Sequence, residues 1–301
     1  MRIAVTGTSG QVVTSLAERG AAAGHEILAI GRPNLDLADP ASVVRALAAA
    51  APDAIVSAAA YTAVDKAESE RDLAFAVNGA GAGAVARAAH ALGVPLVHIS
   101  TDYVFDGTLD RPYVESDPTG PTGVYGASKL AGEEAVLAAH ADSAVLRVAW
   151  VYSPFGGNFV RTMLRLAGDR DTLGVVGDQV GNPTSALAIA DGIVKVATNM
   201  VADSSADLRG VFHMTARGEG SWADFAQAIF AASAARGGPS AMVQRIGTAD
   251  YPTPATRPAN SRLDSSRIAQ VHGVTLPDWR ASLDDVMDRL QPAANQAGKT
   301  I

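Results

Sequence analysis

The sequence predicts an α/β fold, a doubly wound parallel sheet followed by a smaller C-terminal α/β domain. Three observations carry that prediction. Short apolar runs alternate with helical runs from the first residue, the pattern of a parallel sheet covered on both faces. The turn after the first run, Gly7-Thr8-Ser9-Gly10, is glycine-rich where a strand hands over to a helix. After about residue 151 the rhythm changes to shorter apolar segments separated by turn-rich stretches.

Each element has its own signal. Arg2–Thr6 reads as a buried strand and Gln11–Ala23 as an apolar helix. His25–Ile30 is a second strand, Ala41–Ala50 a helix closed by Pro52, and Ala54–Ser57 a third strand. Asp72–Leu92 reads as one long Ala-rich helix stopped by Gly93. Val94–Ser100 is a fourth strand, Tyr125–Ala139 a helix and Ala144–Val151 a fifth strand. Beyond it lie helices near 158–167, 186–198 and 221–235, with strand signals at Val175-Val176 and Val211–Met214. The three prolines of Tyr251–Pro258 demand extended chain or loop. Residues 292–301 read as a frayed tail.

Composition narrows the function classes. A chain of 301 residues, 48% hydrophobic and 18% charged, is globular and long enough for one large domain or two unequal ones. Net charge is −7, which argues against a nucleic-acid partner while leaving room for a local basic site for a small anion. The absence of cysteine removes disulfides, thiolate metal sites and thiol catalysis together. No unbroken apolar run reaches ~18 residues, so no membrane span is expected. Met1–Gly7 is too short for a signal peptide. A soluble, cytoplasmic protein is the expectation.

Candidate site residues cluster at the predicted strand ends. Gly7 and Gly10, with Gln11 and Val12 opening the helix, would let backbone approach a pyrophosphate held by the helix N-terminus. This is a Rossmann-type arrangement for residues 1–150, although Val13 stands where a third glycine is common. The tip of the second strand offers Ile30-Gly31-Arg32 and no carboxylate before Asp36. That favours NADPH, with NADH also possible, because an arginine suits a 2′-phosphate. Asp36-Leu37 could contact the adenine, or Asp36 could stabilise a turn. Ala59, Ala60, Tyr61 and Thr62 follow the third strand, small enough to lie against a cofactor, and Thr62 with Asp65 has the pattern of a helix cap. Asn78, mid-helix, could organise backbone behind the site.

The pair Tyr125 and Lys129 carries the chemistry. Spacing i, i+4 puts both on one helical face. An ammonium beside a phenol pulls its pKa down from the usual value of ~10. Six tyrosines and four lysines in this chain predict only roughly 0.1 such pairs by chance.

Together Gly7-x-x-Gly10, Ser100-Thr101-Asp102 and Tyr125-x-x-x-Lys129 resemble the extended short-chain dehydrogenase/reductases. More narrowly the chain resembles the dTDP-4-dehydrorhamnose reductase family. The stretches that carry this run from Ala59 to Glu68, Ser100 to Gly107, Tyr125 to Glu133, Trp150 to Tyr152, Gly157 to Val160, Asp178 to Thr184 and Arg257-Pro258.

The resemblance implies NAD(P)H-dependent reduction of a dTDP-sugar 4-ketone. Tyr125 would be the proton donor, Lys129 would depress its pKa and bind the nicotinamide ribose, and Thr101 would hydrogen-bond the ketone. Asp102 could bind sugar hydroxyls or cap a turn. Trp150 would face the sugar, Asn158 could bind the diphosphate or cap a helix, and Arg257 would hold the diphosphate. Residues 151–291 would then mainly bind substrate, with later segments able to return to the first domain.

Some family members are implied to pair through a magnesium ion held by glutamates. Ser15 and Leu187 occupy two such positions here, which argues against Mg2+ and for a monomer or a metal-free homodimer. Two other readings stay open: another nucleotide-sugar reductase or epimerase of the same fold, and a non-catalytic nucleotide-binding regulatory subunit.

Overall fold

The computed structural model describes residues 1–291; the expected frayed tail lies outside them. Six strands form the central sheet: β1 (Arg2–Thr6), β2 (Glu26–Ile30), β3 (Ala54–Ser57), β4 (Leu96–Thr101), β5 (Ser143–Val148) and Gly210–His213. Their order across the sheet is Gly210–His213, β5, β4, β3, β1, β2, and every pairing is parallel. The chain reverses direction across the sheet beside β1, so the crevice between the carboxyl ends of β1 and β3 is the ligand-binding switch point of such sheets.

Alternation along the strands explains why both faces are covered. On one face Ile3, Val5, Val56, Val97, Ile99 and Leu146 pack with Val13 and Leu16 of α1 (Gln11–Ala22) and with the helix Ala186–Ala202. On the other face Ala4, Ile55, Leu96 and Val145 meet the helices Pro40–Ala50, Ala82–Leu92 and Val124–Ala139. A second core gathers Tyr152, Val160, Phe225, Trp279 and Leu283 from later in the chain.

Three expectations need correction. The helix foreseen over Asp72–Leu92 is broken into Arg71–Phe75, a π-helical turn at Ala76–Gly81, and Ala82–Leu92. The cause is Asn78, which is buried and accepts from the Tyr61 amide at 2.8 Å. Its amide group donates to the Tyr61 carbonyl at 3.0 Å and to Ser128 Oγ at 2.9 Å. A π-turn aims that side chain outward from the helix.

The fifth strand stops at Val148 because Trp150 adopts φ +46°, and Val151–Tyr152 pairs instead with Thr184–Ser185. The strand Met242–Ile246, paired with Thr172–Val176, and the helices Ser266–His272 and Trp279–Leu290 were not foreseen.

The helix Val124–Ala139 is locked to the sheet from below. Glu133 accepts from Arg147 Nη2 at 2.6 Å and from Ser100 Oγ, all three groups being buried. Arg147 also reaches His213 Nε2 at 3.5 Å. Glycines permit the close approach: a Cβ on Gly126 would collide with the Tyr103 carbonyl oxygen, and one on Gly132 with that of Asn78. Glu68 accepts the Val124 amide at 2.8 Å, placing negative charge at the helix N-terminus where the dipole favours it.

Removing one member of a buried pair leaves an uncompensated charge. Glu133→Ala should therefore cost about 3–5 kcal/mol in urea unfolding, while the double variant Glu133→Met/Arg147→Met should recover most of it. Equal losses in the single and double variants would show that an unpaired Arg147 is not the source of the cost.

Candidate active site

Thr101 and Asp102 end β4 at the carboxyl edge of the sheet, and the locked helix brings Tyr125 over them. Thr101 and Asp102 are buried, and Tyr125 is partly buried with its ring edge-on to Tyr103 at 5.6 Å. The Thr101 hydroxyl donates to Asp102 Oδ1 at 2.9 Å and accepts the Tyr103 amide at 3.2 Å. Its single proton is therefore committed to Asp102, a detail the sequence does not carry. Asp102 Oδ2 is buried without a partner among the described residues. Asp102 thus keeps an open acceptor beside Thr101.

The electrostatics differ from the expectation for Tyr125. Burial pushes its phenol up to about 12, and the Asp102 charge adds to this. The Lys129 ammonium does not bring it below its ordinary value here. The buried ammonium donates to the Ile99 carbonyl at 2.6 Å, and burial brings it down to about 8 against the opposing pull of Glu133. Desolvation outweighs the charge pairing that i, i+4 spacing suggests. The consequence is a phenol that holds its proton at neutral pH. Burial also raises Asp102 to about 6, against the hydrogen bond from Thr101.

A cleft of ≈ 590 Å³ opens at the carboxyl ends of β1 and β2, lined in part by Gly7, Gly31, Arg32, Asp36, Leu37 and Ala59. Ala60 and Tyr61 complete the wall. Buried Thr6 shapes its floor by accepting the amides of Ala58 and Ala59, each at 3.0 Å. Gly7 has φ +102°, and a Cβ there would meet Val13 Cγ2 at 3.3 Å. Val13 is thus accommodated, close-packed beneath the glycine turn. Gly10, at φ +107°, caps α1.

Arg32 is exposed at the rim, while Asp36 accepts the Ala38 amide at 2.9 Å and so stabilises a turn as well as lining the cleft. A glycine-walled cleft at the switch point, ending at a helix N-terminus, fits a dinucleotide.

Other sequence candidates have different duties. Gln11 turns away from the cleft, donating to the Val151 carbonyl at 3.3 Å and accepting Ser153 Oγ at 2.9 Å. Val12 packs on the core beneath it. Thr62 is exposed and the short helix Val64–Ala67 has no side-chain cap, so the Thr62–Asp65 cap does not form. Asp65 instead holds Arg257 Nη2 at 3.0 Å, leaving Arg257 Nη1 buried without a partner among the described residues.

Asn158 caps the helix Phe159–Ala167, accepting the Arg161 amide at 3.3 Å and donating to the Ser153 carbonyl at 2.8 Å. Those bonds give it the helix-capping role. Trp150 stands beyond β5, stacked on Trp222. Sequence reasoning passed over Trp222, although Ser221-x-x-Asp224 marks the start of its helix.

Comparisons with known proteins agree with this fold. The family model described as RmlD substrate binding domain matches residues 1–292. A dTDP-4-dehydrorhamnose reductase of Sinorhizobium fredii is 52% identical over 282 residues, covering 94% of this chain and 95% of its own. The crystal structure of a dTDP-4-dehydrorhamnose reductase from Clostridium acetobutylicum superposes with TM-score 0.90 at 35% identity, over 97% of this chain and 100% of that one. Another, from Bacillus anthracis in complex with NADP, gives TM-score 0.88 at 34% identity over 95% and 98% of the two chains. By sequence, fold and site, the chain belongs to the dTDP-4-dehydrorhamnose reductase family.

Proposed function

We propose that this protein reduces the 4-keto group of dTDP-4-dehydro-L-rhamnose to give dTDP-L-rhamnose, with NADPH preferred and NADH accepted. The observation that carries the reading is the convergence of Thr101, Asp102 and a protonated Tyr125 at the carboxyl edge of the same sheet whose switch point holds a dinucleotide-shaped cleft. A nicotinamide dinucleotide, when bound, supplies the hydride. The chain's own groups supply the proton, the orientation and the charge balance.

Tyr125 donates its phenolic proton to the sugar C4 oxygen, burial keeping that phenol protonated at neutral pH. Lys129, restrained by the Ile99 carbonyl, places positive charge one turn away to balance the phenolate left behind. Thr101 can donate to the ketone oxygen only by releasing Asp102, whose free carboxylate then accepts a sugar hydroxyl. Arg257 would hold the diphosphate, where a planar fork of donors fits; its buried Nη1, without a partner among the described residues, supports this. Arg32 would take the 2′-phosphate of NADPH. The test is turnover of the ketosugar with each cofactor, with the product identified by NMR. Absence of turnover with both cofactors would refute the reading.

Tyr125→Phe should lower turnover by ~10²–10⁴-fold while leaving NADPH affinity unchanged; near-normal turnover in the folded variant would exclude Tyr125 as the donor.

Asp102→Asn should separate stability from activity. The folded-state pKa of Asp102, about 6, lies above its ordinary 3.8, so folding favours the protonated acid. The stability this confers is present below the unfolded value and is lost as pH rises through the folded one. Asp102→Asn should therefore stabilise the protein at pH 7.5 by up to about 3 kcal/mol, with the gain shrinking toward pH 4, while weakening ketosugar binding. A variant destabilised at pH 7.5 would contradict the assignment.

A further inference from the structure

Among the described residues Trp150 is one of two non-glycine residues with positive φ, at +46°. Bulky side chains rarely occupy that region, and the cost is borne where the surroundings over-determine it. Here three contacts do so. The Trp150 carbonyl accepts the Thr184 amide at 3.1 Å. Gly181 makes room for the indole, since a Cβ there would lie 2.5 Å from Trp150 Cε2. The indole then stacks face to face on Trp222, with centroids 3.6 Å apart and planes 6° from parallel.

Trp222 is itself fixed. It opens the helix Trp222–Ala235, whose capping box joins Ser221 and Asp224, and it leans on Phe159 at 4.7 Å. The indole plane of Trp150 is thus set by a residue seventy-two positions later in the chain (222 − 150). Trp150 also sits where such control matters. Val148 pairs in register with Thr101, so Trp150 stands two residues beyond that pair, at the same sheet edge as Asp102. Both indoles remain partly exposed.

We propose that Trp222 is a positioning residue for the sugar, acting through Trp150. By holding that indole in one plane it presents an apolar wall at the sheet edge that carries Thr101 and Asp102. A 6-deoxyhexose, with its methyl group and apolar C–H face, matches such a wall, while its hydroxyls meet Asp102. The inference rests on the functional reading above.

The experiment compares Trp222→Phe, which keeps an aromatic face, with Trp222→Leu, which keeps apolar bulk without one. Steady-state turnover of the dTDP-ketosugar with NADPH is measured beside NADPH affinity, thermal midpoint and circular dichroism. The wild type should show an exciton couplet from the stacked indoles, since the third tryptophan, Trp279, is buried against Phe225 instead. Both variants should lose it.

Trp222→Phe should retain kcat/KM within about threefold, and Trp222→Leu should lose about tenfold, mainly through the ketosugar KM, with NADPH affinity and midpoint matching the Phe variant. Equal kcat/KM in the two variants would overturn the proposal. So would a loss in the Leu variant accompanied by equal losses of NADPH affinity and midpoint, or a wild type without the couplet. A wild type that leaves the ketosugar unreduced would instead refute the functional reading, and this inference with it.

Discussion

The docking of the helix Val124–Ala139 onto the sheet is the constraint from which the site follows. Glu133, Arg147 and Ser100 bind it from beneath, Asn78 ties Ser128 to the Tyr61 backbone, and Gly126 and Gly132 remove the side chains that would hold it away. A buried ion pair is expensive to desolvate and contributes little net stability. Its use here is geometric. With Glu133 fixed to β4 and β5, Tyr125 and Lys129 two and one turns earlier have nowhere else to point.

That docking also sets the electrostatics. It buries Lys129 against the Ile99 carbonyl and Tyr125 beside Asp102, so desolvation governs both groups. A protonated phenol, an ammonium of reduced pKa and a carboxylate with one unpaired oxygen then share a small volume. Such a set is poised to deliver a proton as negative charge develops on a substrate oxygen. The unpaired Asp102 oxygen is a local cost to the fold, of the kind that functional sites retain.

Much of this was legible in the sequence, for identifiable reasons. Strands β1 and β3 have the bounds that apolar runs and flanking glycine or proline imply, and the glycine turn at Gly7 lies at the cleft. Local patterns encode these. The long-range contacts escaped. The π-turn at Asn78 depends on Tyr61 and Ser128, seventeen and fifty residues away. The end of β5 depends on the Trp150–Trp222 stack. Asp65 reads locally as a capping partner and is instead taken by Arg257. Trp279–Leu290 was recoverable, since Asp278 caps it and Trp279, Leu283, Val286 and Met287 form one buried face. The proton of Thr101 and the partner of Lys129 have no signature in residue order at all.

Gly132→Ala tests the docking most directly, because Gly132 touches Asn78 rather than any reacting group. Helix propensity alone predicts that alanine stabilises the helix by about 1 kcal/mol. Close docking predicts the reverse: the added methyl meets the Asn78 carbonyl, the helix shifts, the thermal midpoint falls, and kcat/KM for the ketosugar drops about a hundredfold. A variant with a raised midpoint and wild-type turnover would contradict it.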